Sequence, residues 1–157
     1  MIESYIPIIR AAMQPIIHHF SLRVSGEEET TSYAEVLFTN TTTGLRVLVD
    51  WAEFRPFLTV YRLTPGVTPD SDRPVSHKQR LSFDVDMLLA LRAKSLGPVG
   101  KMLGSRDTSA VGNLLGEYAD ALREHASDVL RGDFMIFAEL DRRVSERAKE
   151  LGLQPDP

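Results

Sequence analysis

Few residues of this chain have the types and spacing to do chemistry, and each was tested against what its chemistry requires. Gly97-Pro98-Val99-Gly100-Lys101 places glycines beside a lysine. A phosphate-cradling loop uses that combination, with backbone amides around the phosphate and the ammonium against it. Such a loop needs four residues between its glycines and a Ser or Thr after the lysine. Here Pro98 and Val99 alone separate them, and Met102 follows. Four histidines, His18, His19, His77 and His125, are the nitrogen donors for a metal or a proton-transfer site. Neighbours such as His18 and His19 on a strand point to opposite faces. His77 falls in a polar stretch and His125 on a helix stripe, so no ligand spacing emerges. No Gly-x-Ser-x-Gly elbow presents a nucleophile. Glu35, Asp50 and Glu53 lie along a hairpin and read as carboxylates of a solvated sheet face. The sequence therefore assigns no catalytic, cofactor-binding or metal-binding residue.

Two short motifs have local explanations. In Arg131-Gly132-Asp133 the glycine ends one helix and the aspartate caps the next. Asn40-Thr41-Thr42 has the form of a glycosylation acceptor but also the composition of a turn.

The elements that must position these residues follow from length and pattern. With 157 residues, 43% hydrophobic and 25% charged, the chain reads as one soluble domain spanning 1–157. It has no cysteine, so disulfides and thiolate metal sites are excluded. A net charge of −4, well mixed, disfavours nucleic acid as a partner. The start Met1-Ile2-Glu3-Ser4 lacks the basic and apolar regions of a signal peptide, and no segment is apolar enough to span a bilayer. The expected location is the cytoplasm.

The chain divides into a β-rich part (16–63), an irregular crossover (64–80) and a helical part (81–152). A first helix is expected over 4–14, capped by Ser4 and ended by Pro15. From His18 the alternation predicts a strand with Phe20, Leu22 and Val24 inward, then a turn over Ser25–Glu29. Ala34, Val36 and Phe38 form one apolar set; Leu45, Val47, Val49 and Trp51 form another. Pairing these sets on one face gives a hairpin with Asn40 opposite Leu45 and Val36 opposite Val49, with Gly44 in the loop at positive φ. Trp51 is then a core anchor. Phe57 to Leu63 reads as a fourth strand. The crossover carries three prolines and few apolar side chains, and long polar loops are where binding residues concentrate. Asp70, Asp72, Arg73 and His77 are the partner-binding candidates. Beyond it, either a helix over 84–95 capped by Asp84 or a fifth strand over 80–86 fits the pattern. Val111, Leu114, Leu115, Tyr118, Leu122 and His125 stripe a helix over 109–126. Phe137, Leu140, Val144, Ala148 and Leu151 stripe a last helix, with Asp133 as its cap.

The stretch from Tyr118-Ala119-Asp120-Ala121-Leu122 to Asp128-Val129-Leu130-Arg131-Gly132-Asp133-Phe134 resembles a pattern in small bacterial proteins, some of them immunity proteins paired with toxins. Its content is helix packing and capping, and it carries over no functional residue. The resemblance implies a cytoplasmic, non-enzymatic domain that binds a protein.

The expected fold is α+β: an N-terminal helix, a four-stranded antiparallel meander, and three helices on one sheet face. The expected function is a protein-binding module without cofactor, of immunity or chaperone-like kind. The alternative is a small-ligand-binding or enzymatic domain with a cavity between sheet and helices.

Overall fold

The computed structural model describes residues 4–63, 82–93 and 97–152. Asp70, Asp72, Arg73 and His77 lie outside the described residues. Helix α1 (Ile6–His19) is followed by four strands, β1 (Arg23–Glu29), β2 (Tyr33–Thr39), β3 (Thr43–Asp50) and β4 (Arg55–Arg62). A short β5 (Ser82–Asp84) leads directly into α2 (Val85–Arg92). Then come α3 (Thr108–His125), a single turn α4 (Ser127–Leu130) and α5 (Met135–Glu150). The described strands form one antiparallel sheet in the order β1-β2-β3-β4-β5. The meander thus has five strands where four are expected, and the two readings of 80–86 are both partly right: a three-residue strand feeds the helix. Among the described residues no helix is long and apolar enough to cross a membrane.

The alternation predicts the inner face well. Ala34, Val36, Phe38, Leu45, Val47, Val49 and Val60 are each 0% exposed. The helices close over that face, and Met13, Leu88, Tyr118 and Phe137 belong to the same core cluster. Trp51 is buried, with its ring centroid 4.7 Å from that of Tyr5 and Arg106 stacked over it.

The first helix does not stop at Pro15. It continues to His19 because Ile9, Met13, Ile16 and Phe20 keep a buried stripe at helical spacing, while Pro15 and Ala11 face solvent. Pro15 cannot donate to the Ala11 carbonyl, but water can reach that carbonyl. His18 and His19 are therefore the last turn of a helix, not the start of a strand. The strand begins at Arg23 and runs through the expected turn. The actual turn is Thr30–Ser32, where Thr30 Oγ1 accepts from the amides of Ser32 and Tyr33 at 3.1 and 3.2 Å. The carboxylate of Glu29 accepts from Ser4 Oγ at 2.6 Å and from the Tyr5 amide at 2.9 Å, closing the start of α1. An anion there also complements the helix dipole.

The β2–β3 register differs from the expected one by two residues: Val36 faces Val47, Phe38 faces Leu45 and Thr39 faces Gly44. A two-residue shift leaves the same residues inward, so the apolar pattern alone cannot distinguish the two registers. The turn decides. Asn40 Oδ1 accepts from the amides of Thr42 and Thr43 at 3.0 and 2.8 Å, and the Asn40 amide donates to the Thr43 carbonyl at 3.0 Å. Gly44 is consequently a strand residue without positive φ. A Cβ there would lie 3.3 Å from Leu63 and 3.4 Å from Tyr61.

Candidate functional site

The residues that chemistry singles out are mostly absorbed by structure. Lys101 Nζ pairs with Glu117 at 2.8 Å, and Gly97 and Gly100 take φ of 53° and 80° in the turn before it. Glu35 lies 2.8 Å from Arg46 Nε, and Asp50 Oδ1 accepts from the Ala52 amide at 2.8 Å. Asp133 is not the N-cap of α5, a place Phe134 takes without a side-chain bond, but from one residue earlier its Oδ1 accepts from the Met135 amide at 3.0 Å; Asp84 precedes α2 without such a bond. Among the described residues no group of three His, Asp or Glu side chains is placed to hold a metal.

Two polar ties fasten the helices. Tyr118 donates to Asp86 Oδ1 at 2.6 Å, and Arg55 Nη2 lies 3.3 Å from Asp86 Oδ2. Burial, then the Asp86 carboxylate, pushes the Tyr118 phenol far above its ordinary range, so it acts as a fixed donor. Arg92 forks onto Asp128 at 2.5 and 2.6 Å and donates to the His125 carbonyl at 2.8 Å. Arg92 thereby holds the Asp128 carboxyl below its ordinary value.

Two features are not absorbed. The first is the outer face of the sheet. Pairing places Leu48 opposite Phe57, and Leu37 sits diagonally beside Leu48 on β2. All three are partly exposed, and none belongs to the core cluster or packs against it. Charged side chains border them: the Glu35–Arg46 pair, and Arg55, whose guanidinium stacks 4.5 Å over the Phe57 ring.

The second is a cleft of about 520 Å³ at one end of the sheet. The end of α1, the β2–β3 turn and the α4–α5 elbow form its walls. Its cations are Arg23 and Arg131, with the His19 ring beside them; none of the described residues lining it is acidic. Asn40 builds its floor. The Asn40 Nδ2 amide donates to the carbonyls of Phe20 at 3.0 Å and Leu130 at 2.9 Å, while Oδ1 serves the turn. All four hydrogen-bonding positions of that amide are therefore used, and the acceptor-like tripeptide is turn chemistry. Thr43 adds a bond to the Val129 carbonyl at 2.7 Å. Gly132, at φ 96°, lets the elbow press on Thr42, where a Cβ would come within 2.8 Å of the hydroxyl.

Within the cleft Arg131 Nη2 lies 3.1 Å from His19 Nε2, and its guanidinium covers the Phe20 ring. Arginine has no acceptor, so Nε2 supplies the lone pair. Ser21 takes φ 54°, a left-handed conformation usually left to glycine, and the Leu22 amide reaches back to the Ile17 carbonyl at 3.0 Å. No spacing in the sequence announces this cluster, because its members come from three distant segments. Its only local signals are the Asn-Thr-Thr turn and the Arg-Gly-Asp elbow.

Compared with protein-family models, curated proteins and solved structures, the chain has no significant match.

Proposed function

We propose that this protein is a non-enzymatic, cytoplasmic protein-binding module, and that its partner docks on the outer face of the sheet. The observation that carries this reading is the Leu37–Leu48–Phe57 patch, partly exposed on three adjacent strands and bordered by fixed charges. Docking surfaces have this composition: an apolar centre that desolvates on contact and a polar rim that sets orientation. An aromatic such as Phe57, already held by a stacked arginine, loses little freedom on binding. Glu35, Asp50, Asp86, Lys101, Tyr118 and Asp128 are tied to structural partners, in keeping with a binder. The resemblance of residues 118–134 to immunity-type proteins points the same way, and an immunity or chaperone-like role is the form of binding we favour.

The test is co-purification of the full chain from its native host, followed by mass spectrometry, alongside the Leu48→Gln/Phe57→Thr double variant. A protein partner retained by the native chain and lost from the variant supports the reading. A small molecule recovered with no protein contradicts it.

A further inference from the structure

We propose that the basic cleft is a binding site for the phosphoryl group of a small phosphomonoester. This inference does not depend on the outer-face reading.

Three observations converge on it. First, the charge is local and opposite to that of the whole. In a chain of net charge −4, the cleft gathers Arg23 and Arg131, with no carboxylate among the described residues that line it. Elsewhere Arg10, Arg46, Arg55, Arg92, Arg142 and Arg143 each face a carboxylate, while Arg62 and Arg106 lie singly over aromatic rings. Arg23 makes no ion pair or hydrogen bond to a described residue, and Arg131 contacts a histidine and a ring. Two guanidiniums sharing one cleft repel each other, and a dianion between them reverses that cost.

Second, neutral donors complement the cations. Ser21 and Thr41, each bearing a hydroxyl, line the cleft, and Asn40, with its own valences filled, fixes the turn that carries Thr41. A tetrahedral oxyanion takes several donors from different directions, and a fork of guanidinium N–H groups suits it better than a point charge. A carboxylate, with a single charge and two oxygens, would leave part of this donor set unused.

Third, the wall is held at a conformational cost. Ser21 keeps φ 54° without being glycine. Strained non-glycine residues gather at ligand sites, where the side chain they retain has a use that glycine could not supply. Here that side chain is the hydroxymethyl of a residue lining the cleft. The volume of about 520 Å³ exceeds what inorganic phosphate fills and accommodates an organic moiety beside the anion.

The experiment is an amide-resolved NMR titration of the full chain with inorganic phosphate, glycerol 3-phosphate and citrate, each against sodium chloride at matched ionic strength. The proposal expects saturable shifts at Ser21, Thr41, Thr42 and Arg131 with both phosphates, tighter for the ester. Arg23→Gln and Arg131→Gln should each weaken binding roughly tenfold, the scale of one charge-assisted contact, and together abolish it. Arg23→Gln removes an exposed side chain with no described partner, so its circular dichroism should match the native chain. Shifts equal to those of chloride would overturn the proposal. So would phosphate binding that survives in the double variant, or citrate binding where phosphate does not.

Discussion

The two faces of the sheet are made by the same strands and obey different rules. On the inner face the central pairs across β2, β3 and β4 are apolar, Ala34 with Val49, Val36 with Val47 and Leu58, Phe38 with Leu45 and Val60, and only the end pair Thr43 with Arg62 is polar. On the outer face the rows mix charge and hydrocarbon, with Glu35 beside Leu48 and Phe57, and Leu37 beside Arg46 and Thr59. Hydrophobic burial explains the centre of the first face, because each large apolar side chain removed from water contributes on the order of 1.5–3 kcal/mol. It does not explain why Leu48 and Phe57 stay partly exposed on the second. The difference separates what folds the chain from the surface we propose it offers to a partner.

The comparison can be broken most severely from the inner side. Phe38→Ala should cost about 3–5 kcal/mol, because a fully buried ring leaves a cavity that sheet and helices cannot close. Denaturant unfolding of the variant measures it.

Next is the tie that holds α4 to α2. Arg92→Ala strands Asp128 and should cost about 1.5–3 kcal/mol, the range for hydrogen bonds to charged groups. The pH dependence has a definite sign. Arg92 depresses the folded-state value of Asp128, so this contribution is complete above the ordinary carboxylate value. It declines as pH falls below that value and is gone below the depressed one. Melting curves across the acid range should therefore fall less steeply for Asp128→Asn than for the native chain.

Ser21→Gly should stabilise the fold by up to about 1 kcal/mol, because glycine adopts φ 54° without the Cβ penalty. The same substitution should weaken phosphate binding in the cleft, a stability gain paired with a functional loss. The smallest effect belongs to the outer face. Leu48→Gln should change stability by about 0.5 kcal/mol or less, as expected of a partly exposed position outside the core.

What could be read in the sequence follows the same division. The inner face was legible because a buried face writes a period of two, and the α3 stripe Val111, Leu114, Leu115, Tyr118 and Leu122 because it repeats every three to four residues. Strand β1 was not, since an edge strand of Glu27, Glu28 and Glu29 with a bulge at Ser25 has no buried face to write one. Pro15 hid the end of α1 because its cost depends on which side faces water. Pro56 is tolerated in β4 because β5 pairs only from Thr59 to Tyr61, so among the described residues no strand lies beside Pro56 on that side. The hairpin register rested on the Asn40 side chain, and the cleft on the meeting of residues 19–23, 40–42 and 130–131. Neither is a spacing that sequence can display.

The central claim is that the outer face is kept for a partner and contributes little to folding. The most direct measurement compares the Leu48→Gln/Phe57→Thr variant with the native chain for both thermal unfolding and retention of the co-purifying protein. The account predicts a melting temperature close to native and loss of the partner. A variant that melts like the native chain and still retains the partner would contradict it.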